Sequence, residues 1–292
     1  MILLNFQDFS VLSVIIPANN EEMFIGACLT AILASDSPAC PVEIVVVANG
    51  CTDGTAELAR GFVPRAAARG WKMQVLDLTQ GGKMRALNAG DDAASLPWRA
   101  YLDADVTVSR GLLHQLCHAL DGPKARYASG TLRITAKGKI SKAYAATYRK
   151  VPFMAHGVPG CGLFAVNAAG RARWGKFPDI ISDDTYVRLL FRPEERVAVR
   201  ASYDWPIVEG FRALVKVRRR QDRGVRQVAA LFPDLMANED KARLGLTGMM
   251  HLFLRNPVGF AVYSSVAMAV RLGDRSRDVP AGAVMADWSR GR

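Results

Sequence analysis

Paired cysteines are missing from this chain. Its five, Cys28, Cys40, Cys51, Cys117 and Cys161, are odd in number and include no Cys-x-x-Cys spacing. That argues against a disulfide framework and for a reducing compartment. The opening residues, Met1-Ile2-Leu3-Leu4-Asn5-Phe6-Gln7-Asp8, lack a basic segment followed by a long apolar one. No secretory signal is therefore expected, and the cytoplasm is the expected compartment. Internal repeats and low-complexity tracts are absent too. No Gly-x-Gly-x-x-Gly fingerprint appears, which weakens a dehydrogenase reading. Gly81-Gly82-Lys83 is not a phosphate-binding P-loop, because Asp77 takes the place of the first glycine and Met84 that of the Ser/Thr. A long hydrophobic run is also lacking. Asn256–Val270 is uncharged for only 15 residues, where a membrane-spanning helix takes about 20.

What is present describes a globular chain. Of 292 residues, half are hydrophobic and 22% are charged, enough to bury a sizeable core and too apolar for a disordered segment. The formal charge of +11 favours an anionic partner: a nucleotide, a nucleic acid or an acidic membrane surface. Much of that charge lies in one run, Arg212, Lys216, Arg218, Arg219, Arg220, Arg223 and Arg226, with Asp222 the acid among them. No aromatic stacking platform accompanies the run, so nucleic-acid binding is not expected. A solvated basic loop, a phosphate clamp and a lipid-facing patch all stay open for it. His114 and His118 are spaced i, i+4, but Gln115 replaces the glutamate of a zinc-protease helix. An exposed helix face is the better reading there than zinc.

The first half alternates short apolar runs with helical patterns. Val11–Ile16 reads as a buried strand ending at Pro17, and Asn20 looks like the cap of a helix running to about Ala34. Glu43–Ala48 is a second strand. Asn49-Gly50-Cys51-Thr52-Asp53-Gly54-Thr55 is turn chemistry opening a second helix. Met73–Leu78 is a third strand, a helix follows Gly82 to about Ala94, and Ala100–Leu102 is a fourth strand. Beyond residue 125 the pattern is mixed, with a strand at Tyr127–Ile134, a helix at Ser141–Tyr148, a turn and strand at Gly160–Asn167 and a short helix from Asp183. Strand–helix alternation implies a mostly parallel sheet flanked by helices, an α/β fold of Rossmann-like type. Ligands of such sheets bind beyond the carboxyl ends of the strands. Three polar loops, Pro17–Glu22, Asn49–Thr55 and Asp103–Asp105, fall at such ends. The apolar stretch 244–270 contains His251 and Arg255. It reads as an in-plane membrane helix, a subunit contact or a core helix, rather than a span.

Asp103-Ala104-Asp105 carries the most chemical information. In an extended segment side chains i and i+2 share one side, so both carboxylates can reach one small hard cation. Mg²⁺ or Mn²⁺ takes oxygen ligands and shares them with substrate phosphates.

Taken in order, these motifs resemble the family 2 glycosyltransferases, which have the GT-A fold. Val14–Glu22 looks like that family's opening strand and Pro-x-x-Asn-Glu turn. Val45–Thr55 resembles its second strand and turn, and Gly82–Gly90 its Gly-Lys…Leu-Asn helix start. Asp103-Ala104-Asp105 matches its metal motif. The resemblance covers about residues 11–224. It implies an inverting, metal-dependent glycosyltransferase of the hexosyltransferase class, moving one sugar from a nucleotide-diphosphate donor, UDP by default, to a hydroxyl acceptor on a glycan or lipid. The pathway implied is polysaccharide, glycolipid or cell-envelope synthesis; the expected place is the cytoplasm, with peripheral contact to the cytoplasmic face of an inner membrane left open.

Site roles follow from the same resemblance. Pro17, Asn19 and Glu21 would lie along base and ribose, Asn49 near the base and Lys83 near base or phosphates. Asp103 would approach the ribose, and Asp105 with Asp103 would hold Mn²⁺ or Mg²⁺. Asp184, with Asp183 in the place of the family's glutamate, would supply the catalytic base; capping of the following helix is the ordinary alternative. Gly160, Cys161 and Gly162 would face the acceptor, and Arg220 or Arg223 would clamp the diphosphate. Gln221 replaces the tryptophan of the Arg-Trp-x-Arg-Gly ending, which disfavours processive synthesis. The expected division is a catalytic domain over residues 1–232 and a helical extension over 233–292, contacting a membrane or another subunit. The alternatives are a sugar-phosphate nucleotidyltransferase and a non-catalytic relative that binds a partner or membrane.

Overall fold

The fold begins with a strand that is buried along its whole length. In this computed structural model, which describes residues 12–36, 41–242 and 244–274, β1 (Leu12–Ala18) has no exposed residue. There follow α1 (Glu22–Leu33), β2 (Val42–Asn49), α2 (Thr55–Arg60), α3 (Val63–Ala67), β3 (Lys72–Leu78), α4 (Lys83–Ala93), β4 (Trp98–Leu102), β5 (Thr107–Val108) and α5 (Leu112–Leu120). The chain continues through β6 (Tyr127–Thr135), α6 (Lys139–Tyr148), α7 (Pro152–His156), β7 (Leu163–Val166), α8 (Ala168–Arg171), α9 (Asp183–Leu189) and β8 (Arg196–Pro206). It ends in α10 (Phe211–Leu231), α11 (Leu246–Arg255) and α12 (Pro257–Asp274). Residues 1–11, Pro38 and Cys40, and the polar tail from residue 275 lie outside the described residues.

The strands form one eight-stranded sheet in the order β3-β2-β1-β4-β7-β6-β8-β5. The half built by β3, β2, β1 and β4 is parallel, and β7 pairs antiparallel with both β4 and β6. The parallel half explains the apolar runs. Strands covered on both faces by helices need hydrophobic side chains on both sides, and Ile44–Val47 is wholly buried. Glu43, Ser13 and Asn49 are buried polar residues of these strands, Glu43 at 1% exposed. Burial alone would raise its carboxyl, but donors from Ser95, Lys72 and Ser13 hold it below its ordinary value. The expectation of a sheet flanked by helices with a helical C-terminal segment holds, with the sheet mixed in direction.

By contact density the chain divides into two compact units. The first comprises Met1–Thr131, Gly160–Phe177 and Glu194–Tyr203, and holds the parallel half-sheet. In it α4 rides directly on β1 and β2, because a Cβ on Gly90 would strike the Ile15 side chain. The second comprises Leu132–Pro159, Pro178–Pro193 and Asp204–Arg292 and is mostly helical. Its core joins Tyr144 of α6, Leu214 and Val215 of α10, and Val266 and Val270 of α12.

One expectation changes and two open readings are narrowed. Asn20 does not cap α1: its backbone is left-handed at φ 53°, and its Oδ1 accepts from Thr52 N at 2.8 Å. Glu21 stands at the cap position instead, with no side-chain capping bond. The basic run is no loop; it rides on the 21-residue helix α10. The apolar stretch is two helices broken at Asn256-Pro257, and no described helix is long and apolar enough to cross a membrane.

Candidate functional site

In the first unit the loops after β1, β2 and β4 and the start of α4 are tied into one cluster. Asn49, fully buried, is the centre of the ties. Its Nδ2 donates to Ala18 O at 2.8 Å and Val47 O at 3.3 Å, and its Oδ1 accepts from Gly82 N at 2.9 Å. Both amide atoms are therefore committed to backbone, joining the ends of β1 and β2 to the start of α4. Asn19 adds a second tie: its Nδ2 donates to Asn49 O at 2.6 Å and Gly50 O at 3.1 Å. Gly50 is left-handed at φ +56°, and a Cβ there would press 2.6 Å from Gly81 N. Only glycine fits both the turn and that approach.

The rim of this cluster is a reciprocal hydrogen-bonded pair of loops. Thr55 Oγ1 accepts from Glu21 N at 2.7 Å, Asp53 Oδ2 from Glu22 N at 3.2 Å and Glu22 Oε2 from Gly54 N at 3.1 Å. Burial opposes ionisation of Asp53, yet donors from Thr55 and the Glu22 amide hold its carboxyl below its usual value. Pro17 is buried at the end of β1.

The Asp-Ala-Asp turn sits at the carboxyl end of β4, as its strand predicted. Leu102, Ala104 and Val106 are buried while Asp103 and Asp105 are half-exposed, so the two carboxylates share the open side. Lys83 Nζ lies 3.0 Å from Asp103 Oδ1. Beneath them Cys28 is fully buried, and its thiol is pushed far above its ordinary value, first by burial and then by the charges of Asp105, Glu21 and Asp103. The donors that Asp103 and Asp105 offer are all oxygens, which suits Mg²⁺ or Mn²⁺. The described residues contain no group of three or more metal-ligating side chains around one point. An ion on Asp103 and Asp105 therefore fits only with water and phosphate oxygens as its other ligands.

Gly160-Cys161-Gly162 belongs to the same cluster. Asp103 N donates to Gly162 O at 2.9 Å, and Tyr203 Oη donates to Cys161 O at 2.9 Å. Gly160, at φ +68°, packs on the Tyr127 hydroxyl with no room for a Cβ. Tyr203 had no local sequence signal; it reaches this turn from β8.

The second unit holds the Asp183-Asp184 turn. Asp183 is buried and opens α9; half-buried Asp184 accepts from Thr185 N through Oδ1 at 2.7 Å. Helix α10 is braced against this turn. A Cβ on Gly224 would collide with Ser182 Oγ and crowd Ile181, and Gln227 Oε1 accepts from Ile181 N at 2.9 Å. Arg220, half-buried, and Arg223, exposed, precede Gly224 on that helix. Arg188, 1% exposed, anchors the far end of α9 on Glu239 and Asp240, each at 2.7 Å. Burial works against the Glu239 carboxylate, but Arg188 keeps it below its usual range. Gln227 and Arg188 were not foreseen, since their partners lie far along the chain.

Residues 13–158 match Glycosyl transferase family 2, and the chain belongs to that family. Glycosyltransferase AglE of Haloferax volcanii is 32% identical over 123 residues, 42% of this chain and 40% of that protein. The chain spans less than half the length of the curated relatives it matches. Among solved structures, mannosyltransferase PcManGT of Pyrobaculum calidifontis, in complex with GDP-Man and Mn²⁺, aligns over 92% of this chain and 76% of its own, with TM-score 0.54 and 20% identity. Glucosyl-3-phosphoglycerate synthase of Mycobacterium tuberculosis, in complex with Mn²⁺ and UDP-Glc, aligns over 79% and 80%, with TM-score 0.51 and 18% identity. Both share the fold.

Proposed function

We propose that the protein is a metal-dependent, inverting glycosyltransferase that moves one sugar from a nucleotide-diphosphate donor to a hydroxyl acceptor. The observation that carries this reading is the pairing of Lys83 with Asp103 beside Asp105, at the mouth of three tied loops. A nucleoside diphosphate leaving group gains charge as its bond to the sugar breaks, and preplaced positive charge favours that step. Lys83 supplies one fixed charge. A divalent ion held by Asp103 and Asp105 would supply the rest of the neutralisation. Pro17, Asn19 and Glu21 line the base and ribose in this reading. Asn49 positions them from below rather than reading the base itself. The neighbouring structures hold GDP-Man in one case and UDP-Glc in the other; UDP is our first choice, from the family resemblance.

The resemblance assigns the base to Asp184, with Asp183 beside it, Arg220 or Arg223 on the diphosphate, and Gly160, Cys161 and Gly162 toward the acceptor. Loss of the tryptophan at Gln221 favours a single transfer over processive synthesis. Calorimetric titration of UDP, GDP and dTDP, with and without Mn²⁺, tests the donor side. One nucleotide should bind only with metal, and Asp105→Ala should abolish that binding; absence of any nucleotide binding to folded protein would overturn the proposal. For the base, Asp184→Asn should cut turnover by about 10²–10⁴-fold with donor affinity kept. Near-normal turnover would remove Asp184 from the role.

A further inference from the structure

The last two helices turn apolar side chains outward. On α11, Leu246, Met250, Phe253 and Leu254 are 81%, 58%, 45% and 72% exposed. Their spacing of i, i+4, i+7 and i+8 is that of a single helical stripe. In an ordinary surface helix such a stripe faces the core; on α11 the core side holds Leu252. Helix α12 repeats the pattern: Val266 and Val270 enter the core of the second unit, while Val258, Met268 and Leu272 are more than 60% exposed. Seven of the twelve exposed large hydrophobic residues among the described residues fall between Leu246 and Leu272. Single exposed apolar residues are ordinary, but a concentration of them marks an interaction surface.

The break between the helices is specified locally. Asn256 Oδ1 accepts from Gly259 N at 3.0 Å, which caps α12, and Pro257 opens its first turn. Two short helices result, each suited to lying along a surface rather than crossing one. Charge selects the occupant. The charged side chains carried by the two helices are Arg255 and Arg271, both exposed, and one acid, Asp274, at the very end of α12. A second copy meeting this face would set like charges against one another. An anionic lipid surface takes the apolar stripe to about 5–10 Å depth and attracts each base by about 1 kcal/mol.

We propose that the outward faces of α11 and α12 dock the protein in plane on an anionic lipid leaflet. This surface is independent of the sugar-transfer reading, and either can fail alone. The test is flotation of the full chain with phosphatidylcholine vesicles, with and without about 30% of the anionic lipid phosphatidylglycerol. The protein should float with the anionic vesicles, less so at high salt. Met250→Glu with Leu254→Glu should lower the bound fraction about tenfold or more, with an unchanged circular dichroism spectrum and melting transition as the sign of intact folding. No flotation of the wild type, or equal flotation of the double variant, would overturn the proposal. So would a concentration-dependent dimer, seen in sedimentation, that the double variant abolishes.

Discussion

The turn between β2 and α2 and the turn that opens α9 are held by different means. The first is stitched by side chains to backbone: Asn19, Asn20, Asn49, Asp53 and Thr55 each close a hydrogen bond across it. The second is pressed into place by a helix, with Gly224 giving α10 room to approach Ser182. The bonds through Asn49 and Thr55 are buried, so breaking one of them orphans a buried polar group. Packed turns resist because there is no space for another arrangement. Substitutions should therefore fail differently in the two places.

The largest effect is expected where the second unit depends on a buried charge. Glu239→Gln with Asp240→Asn leaves the Arg188 guanidinium without either carboxylate and should cost about 3–5 kcal/mol in denaturant unfolding. Arg188→Met should cost less, since its partners reach water more easily, at 18% and 35% exposed. Acid should act the same way. The Glu239 carboxyl is held below its ordinary value, so its contribution is complete above the unfolded carboxylate range near 4.5 and is lost as pH falls through the lower folded value. A stability profile flat from pH 6 to 3 would contradict this.

Next comes the stitched side. Asn49→Asp keeps an acceptor for Gly82 N but sets a carboxylate oxygen against the Ala18 and Val47 carbonyls. A loss of about 2–4 kcal/mol is expected, with weaker binding of every nucleotide alike. A switch of nucleotide preference at unchanged stability would make Asn49 a base reader instead. The smallest effect is Gly224→Ala. Alanine would gain about 1 kcal/mol in an open helix, yet here its methyl meets Ser182 and Ile181, and a net loss of about 1–2 kcal/mol is expected. Any gain in melting temperature would show that α10 can back away from the turn.

The same contrast decides what could be read in advance. Strands of the parallel half were legible because burial on both faces writes a continuous apolar run, as at Ile44–Val47, and because turn residues punctuate each end. The Asp-Ala-Asp turn was legible for the same reason: its strand ends where the acids begin. Helix α10 was not. Its buried stripe, Leu214, Val215, Gly224 and Val228, is hidden among seven bases whose mutual repulsion opposes a helix, and packing on α6, α9 and α12 decides the matter. Asn20 misled because two local uses competed for one side chain, and Thr52 offered the better partner. Arg188 gave no local hint at all, for its carboxylates come from residues 239 and 240.

The contact between Gly50 and Gly81 has a consequence for motion as well as for shape. The close approach of these two backbones, with Asn49 Oδ1 accepting from Gly82 N, ties the loop bearing Asn49 to the loop leading to Lys83. A platform already fixed in this way surrenders little freedom when a nucleotide arrives. Nucleotide binding should therefore order these two loops little, and hydrogen exchange of their amides should change little when a nucleotide is added.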